Sequence, residues 1–157
     1  MKITADLTKG TLLVNGAVFA ITCKVRSLAN KQRRKDEVIR SIPGNYPYDP
    51  RPIPKGVWNI TAVEWQEKEK FDVKVYGPVK IRTDACQWVK VWELDKDGDY
   101  LKERGDEVQD HGYLLHFSQS STTLGCIRPA SANDAILIAN IIQRLFDQGE
   151  KVQIEVI

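Results

Sequence analysis

Gly112 to Pro129 reads G-Y-L-L-H-F-S-Q-S-S-T-T-L-G-C-I-R-P, and Ser131 to Gln148 follows as S-A-N-D-A-I-L-I-A-N-I-I-Q-R-L-F-D-Q. The two pieces carry different periods. From Gly112 to Phe117 the pattern alternates, which sets Tyr113, Leu115 and Phe117 on one face of a strand and Leu114, His116 and Ser118 on the other. Ser118 to Thr123 is a polar loop. From Ala132 the apolar residues Ala135, Ile138, Ala139, Ile142, Leu145 and Phe146 recur at helical spacing. Ser131 suits the N-cap with Asp134 three residues on, and Gly149 suits the position after the last turn. The spacing therefore predicts a short strand, a loop and one long helix over Ala132 to Gln148.

Outward from that helix the chain reads as strands. Lys151 to Ile157 alternates, with Val152, Ile154 and Val156 facing one way. At the other end Ile3, Ala5 and Leu7 alternate, Thr11 to Val14 is apolar, Asn15-Gly16 is a hairpin turn signal, and Ala17 to Val25 continues as a third strand. Val57 to Trp65 reads as a strand with Trp58, Ile60 and Ala62 on one face. Phe71 to Tyr76, Val79 to Arg82 and Gln87 to Leu94 read as further strands, with a turn at Asp97-Gly98. Residues 43 to 56 hold Pro43, Pro47, Pro50, Pro52 and Pro54, a density that speaks for an ordered loop without ladder pairing. The fold class expected is mainly β with one long helix near the C-terminal end, an α+β protein in a single domain over residues 1 to 157.

The chain of 157 residues has 42% hydrophobic and 28% charged residues, values that speak against disorder, repeats and coiled-coil rods. No apolar run is long enough for a membrane helix, and no basic segment, apolar run and cleavage site combine as a signal peptide. With 23 basic against 21 acidic residues the net charge is +2, too balanced to imply a nucleic-acid partner. Lys24 to Arg40 is locally basic and reads as a solvated face or as a surface for an anionic partner. Asp95, Asp97 and Asp99 imitate a calcium loop, but Tyr100 and Asp106 stand where such a loop needs Gly and Glu, so no metal and no cofactor is expected.

Three cysteines, Cys23, Cys86 and Cys126, cannot all pair within the chain, and no C-x-x-C exists. Cys23 and Cys86 fall in strand patterns and read as core. Cys126 is different. It follows a glycine in a polar turn, ten residues after a strand-end histidine. A thiol attacks carbonyls only as thiolate, and a neighbouring imidazole can take its proton. Gly125 allows a tight turn whose N–H groups converge on an oxyanion. Arg128 brings positive charge that suits a thiolate or a substrate carboxylate. His111 is the other candidate base, but it follows the polar stretch Asp106 to Asp110, which does not read as a strand; His116 follows Tyr113-Leu114-Leu115 and is preferred. The tryptophans Trp58, Trp65, Trp88 and Trp92 read as core or cleft wall, and Tyr46 and Tyr48 as a lid.

The run L115-H116, then T123-L124-G125-C126-I127-R128, resembles the catalytic domain of L,D-transpeptidases, the YkuD-like family. I53-P54-K55-G56-V57-W58-N59-I60 is similar to that family's opening strand, and G149-E150-K151-V152-Q153-I154 to its closing one. The resemblance covers residues 52 to 157. It implies a β-sandwich on which Cys126 attacks the stem peptide of peptidoglycan at the carbonyl before a terminal D-residue. His116 would act as base, and the N–H groups of Gly125 and Cys126 as the oxyanion cradle. Thr123, Leu124 and Arg128 occupy the positions around the substrate, and of these Thr123 and Arg128 match the family's residues. The acyl group would pass to an amine, as transpeptidation or D-amino-acid exchange, or to water, as L,D-carboxypeptidation. A non-catalytic wall-binding module on the same fold is the alternative.

Leu124 stands where the family has a second His, Phe117 where a Gly is frequent, and the loop between His116 and Cys126 is short. These departures are similar to the branch delivered as antibacterial effectors by type VI secretion. They imply action in the periplasm or cell envelope, delivery without a signal peptide, and a secretion or immunity partner.

Overall fold

The computed structural model describes residues 1–25, 41–42, 46–47, 51–66, 76–94, 101–119 and 125–157, with the backbone alone at 41–42, 46–47, 92–94 and 101–104. The strands are β1 (Lys2–Asp6), β2 (Thr11–Val14), β3 (Ala17–Thr22), β4 (Ser41–Ile42), β5 (Tyr46–Pro47), β6 (Gly56–Trp65), β7 (Val79–Thr83), β8 (Gln87–Leu94), β9 (Leu101–Asp110), β10 (Leu114–Leu115), β11 (Arg128–Pro129) and β12 (Gln153–Val156); the helix α1 is Ala132–Asp147. The molecule is mainly β with one described helix, as the hydrophobic periods predict. No helix among the described residues is long and apolar enough to cross a membrane.

Eight strands form one sheet in the order β10-β7-β6-β12-β1-β2-β3-β11. Its two edges meet. Leu115 of β10 and Ile127, just before β11, make a parallel bridge, with the His116 N–H donating to the Ile127 carbonyl at 3.1 Å and the Ile127 N–H to the Leu114 carbonyl at 2.9 Å. The sheet is nearly closed, and its seam lies where the sequence places the histidine and the cysteine.

One face of this sheet carries the core. Ile3, Ala5, Leu12, Val14, Ile21, Ile81, Leu115, Ile127, Val152, Ile154 and Val156 are buried together, and Ala135, Ile138, Ala139, Ile142 and Leu145 of α1 join the same cluster. Each such aliphatic side chain contributes about 1.5–3 kcal/mol of burial. Helix α1 lies against β6, β7 and β11. Its N-cap is the one expected, Ser131 Oγ accepting the Asp134 N–H at 3.0 Å.

Several expectations are corrected. Pro47 does sit in a ladder, paired with Ser41 in the two-residue hairpin β4–β5. A ladder that short makes little demand on the N–H that proline lacks. In β6 a bulge between Ile60 and Ala62 shifts the phase, so Val63 and not Ala62 is paired with the buried Ile81. Asp106 to Asp110 is strand after all: β9 pairs with β8 as a separate hairpin, whose exposed side tolerates charged residues. Trp65 and Trp88 are 47% and 60% exposed rather than core, whereas Trp58 packs on the core and donates its indole N–H to the Pro54 carbonyl at 2.8 Å. Cys86 is half-buried in the link before β8, outside the core cluster, because β7 ends at Thr83 and turns away. Residues 26–40, Tyr48, 71–75 and Asp97-Gly98 lie outside the described residues.

Candidate active site

The seam arranges side chains by phase alone. Leu115 and Ile127 are opposite each other and both point into the core. Their neighbours along each strand therefore point to the other face: Leu114 and His116 from β10, Cys126 and Arg128 from the segment of β11. Leu114 stands opposite Cys126 and His116 opposite Arg128, which makes Cys126 and His116 diagonal neighbours on one face, close enough for long side chains to meet. Both are almost buried, at 6% exposure each. The expected division of Gly112 to Ser118 between two faces holds.

The register continues across the sheet. Leu114 pairs with Arg82 and Leu115 with Ile81, so the next step sets His116 beside Lys80 of β7. Lys80 pairs with Glu64 of β6, and Arg128 pairs with Thr22 of β3. One row on one face thus runs Glu64, Lys80, His116, Arg128, Thr22. Glu64 is ion-paired with Arg82, and that contact holds the Glu64 carboxyl below its usual range. With Arg82, the row brings three cations, Lys80, Arg82 and Arg128, and one carboxylate, Glu64, to this face among the described residues. At the end of the row the Thr22 hydroxyl is buried with no hydrogen-bond partner among the described residues.

Two contacts hold the His116 ring. Its Nδ1 is 3.3 Å from the Phe117 carbonyl, which can only accept, so the Nδ1–H tautomer is the one that bonds, leaving the Nε2 lone pair as base. Tyr76 meets its ring edge-on at 5.3 Å. Burial pushes the imidazole below its ordinary value of 6.5; the Phe117 carbonyl opposes this, and the positive charges of Lys80 and Arg128 add to it. His116 is neutral near pH 7, the state a general base requires. Two cation–π contacts flank it: Lys80 Nζ lies 4.0 Å from the Tyr76 ring centre, and the Arg128 guanidinium 4.6 Å from that of Phe117. Arg128 also donates Nε–H to the Ser118 carbonyl at 2.8 Å.

Gly125 sets the cysteine. Its φ is +113°, and a Cβ there would land on the Arg51 carbonyl and within 2.8 Å of Tyr113 Cε1, so only glycine fits. Its carbonyl accepts the Ile53 N–H at 2.9 Å and the Cys23 thiol at 3.3 Å. In a trans peptide the N–H points opposite to the C=O, so pinning this carbonyl aims the Cys126 N–H away from Ile53 and Cys23. The Leu114 N–H donates to Cys126 Sγ at 3.4 Å, a contact that strengthens when sulfur carries negative charge. None of the three cysteines forms a disulfide. Cys23 is on the core side, and burial raises its pKa, so it stays a thiol.

Of the sequence-derived site residues, His116, Gly125, Cys126 and Arg128 come together; Thr123 and Leu124 lie outside the described residues. His111 is exposed at the end of β9, five residues before the seam. Lys80, Tyr76, Gly77, Thr22 and Cys23 went unnoticed as site residues in the sequence. The outward phase of Lys80 was legible, but its neighbour across the sheet was not. Gly77 packs so closely on Phe117 that a Cβ would stand 2.6 Å from the carbonyl His116 uses. Among the described residues no three of His, Cys, Asp and Glu converge as metal ligands. Compared with known proteins, the chain matches no family model, no curated protein and no solved structure.

Proposed function

We propose that the protein is a cysteine acyltransferase of the L,D-transpeptidase type, acting on peptidoglycan stem peptides through a thioester on Cys126. The observation that carries this reading is the seam: two backbone hydrogen bonds, from His116 to Ile127 and from Ile127 to Leu114, join the two segments and make Cys126 and His116 diagonal neighbours on the charged face. His116 Nε2 takes the thiol proton. Sulfur then attacks the carbonyl before the terminal D-residue, and the Cys126 N–H receives the developing oxyanion. His116 returns the proton to the leaving amine. An incoming amine or water releases the acyl group. The motif Thr123 to Arg128 supports the substrate assignment, and action on the wall supports a place in the cell envelope.

Mass spectrometry of a disaccharide-tetrapeptide incubated with wild type and with Cys126→Ala tests this. Loss of the terminal D-residue, or cross-linked or exchanged products, in wild type alone supports the reading and separates transfer from hydrolysis. Unchanged substrate with folded wild type would favour the non-catalytic binding module.

A further inference from the structure

The parallel pairing of the seam stops at Gly125. In a parallel ladder one residue bonds two residues of its neighbour, as Ile127 bonds the Leu114 carbonyl and the His116 N–H. The next rung would have the Leu114 N–H donate to the Gly125 carbonyl. That carbonyl is turned elsewhere. It accepts from the Ile53 N–H at 2.9 Å and from the Cys23 thiol at 3.3 Å, with Gly125 at φ +113°. A buried N–H needs an acceptor. The Leu114 N–H finds it in Cys126 Sγ at 3.4 Å, and both residues are 6% exposed. The sulfur stands where the ladder would have a backbone carbonyl.

A donor aimed at sulfur tells its two protonation states apart. A thiol is a weak acceptor, and an ionised acceptor makes hydrogen bonds about twice as strong as a neutral one. This donor is also fixed in advance. The peptide unit that carries it has its other end, the Tyr113 carbonyl, held by Thr83 Oγ1 at 2.6 Å, so the N–H cannot turn away. Burial keeps His116 neutral near pH 7, so no imidazolium steadies the sulfur at rest. We propose that the Leu114 N–H is a catalytic group, which holds the Cys126 sulfur as an anion before attack and again when the sulfur departs. In the departing step the C–S bond of the thioester breaks and its electron pair goes to Sγ, where the N–H receives it; the incoming amine or water has given its proton to His116. The first role holds for any electrophile that the sulfur meets, and the second rests on the acyl-transfer reading.

The test compares Leu114→Pro with Leu114→Ala. Both lose the leucine side chain, but only proline loses the N–H, and it costs no ladder bond because this N–H is spent on sulfur. The ultraviolet absorbance of the thiolate is titrated against pH, as the difference between each protein and the same protein carrying Cys126→Ala, which separates Cys126 from Cys23 and Cys86. Glu64, Lys80, Arg82, His116 and Arg128 on this face, and Lys24 beyond β3, are the same in every protein. Leu114→Ala is expected to titrate with wild type and Leu114→Pro about 1–2 pH units higher, the worth of a hydrogen bond to a charged group. On the disaccharide-tetrapeptide, kcat/KM is expected to be on the order of 10-fold lower in Leu114→Pro than in Leu114→Ala. Thermal unfolding checks that both are folded. If Leu114→Pro does not fold, the α-hydroxy acid in place of Leu114 removes the N–H alone, and Thr83→Val controls for the weakened Tyr113 carbonyl. A titration that coincides with that of the control overturns the proposal, as does a moved titration with unchanged turnover. If wild type turns over no peptide, the acyl-transfer reading fails by itself, and the titration, which needs no substrate, decides the sulfur's state.

Discussion

The two faces of the seam differ by one step along the strand. On one face Leu115 and Ile127 are fully buried in the aliphatic cluster under α1. On the other, one residue away in each chain segment, stand His116 and Cys126 with Lys80 and Arg128 beside them. The same two backbone hydrogen bonds hold both pairs. The inner pair contributes stability and the outer pair carries the chemistry proposed above, and neither can shift without the other, because a slip of one residue exchanges the faces. The site is rigid because its backbone belongs to the core.

That comparison can be broken from either face. The largest expected effect is on the outer one: His116→Gln lowers kcat/KM by about 10²–10⁴-fold, the usual worth of a positioned base, with the unfolding midpoint little moved. Steady-state kinetics beside thermal unfolding checks this. On the inner face Ile127→Ala costs about 2–5 kcal/mol of stability in urea unfolding, from lost burial and the cavity left behind. If Ile127→Ala instead spared stability and cut only turnover, the division of labour would be wrong.

Between the faces lies Gly77. Gly77→Ala strains a residue at φ +69° and pushes on the Phe117 carbonyl that orients His116. About 1–3 kcal/mol of strain is expected, appearing as lost stability together with a kcat that falls more than KM rises. The pH profile sharpens the picture further. Because His116 is held below 6.5, the acid limb of kcat/KM falls below pH 6.5. The same shift has a stability consequence. Between the lower folded value and 6.5 the unfolded chain binds a proton that the folded chain does not. Stability is therefore full above 6.5 and declines as pH falls through that interval, by no more below it. Chemical unfolding across pH 5 to 8 reads it, and His116→Gln should flatten the dependence. The smallest effect belongs to Cys23→Ala, which removes one donor from the Gly125 carbonyl; a loss of roughly 2- to 10-fold in kcat is expected, as for one neutral hydrogen bond.

Local pattern made much of this readable. Alternation from Tyr113 to Ser118 separates the core face from the one that carries His116, and the helical stripe with its Ser131 cap locates α1. What depends on pairing was not legible. The bulge after Ile60 changed which residue of β6 faces inward, and nothing local to Val57–Trp65 announces it. The strand at Asp106 to Asp110 was missed because its residues are polar and its partner is a hairpin arm, not the core. Lys80 and Cys23 gain their roles from register with distant strands. His116 and Cys126 could be picked out by residue type, but their shared face follows from the closure of the sheet.

That closure also dictates when the site exists. β12 lies between β6 and β1 and joins two half-sheets, β10-β7-β6 on one side and β1-β2-β3-β11 on the other. His116 belongs to the first half and Cys126 to the second. During synthesis β12 is made after β1 to β11, and its pairing brings together Lys2 and Glu155, 153 positions apart in the chain. Contacts of such long range form late and slowly. A ribosome-bound or partly folded chain therefore joins the two half-sheets through the short seam at Leu115 and Ile127 alone, and insertion of this keystone strand is what closes the ring.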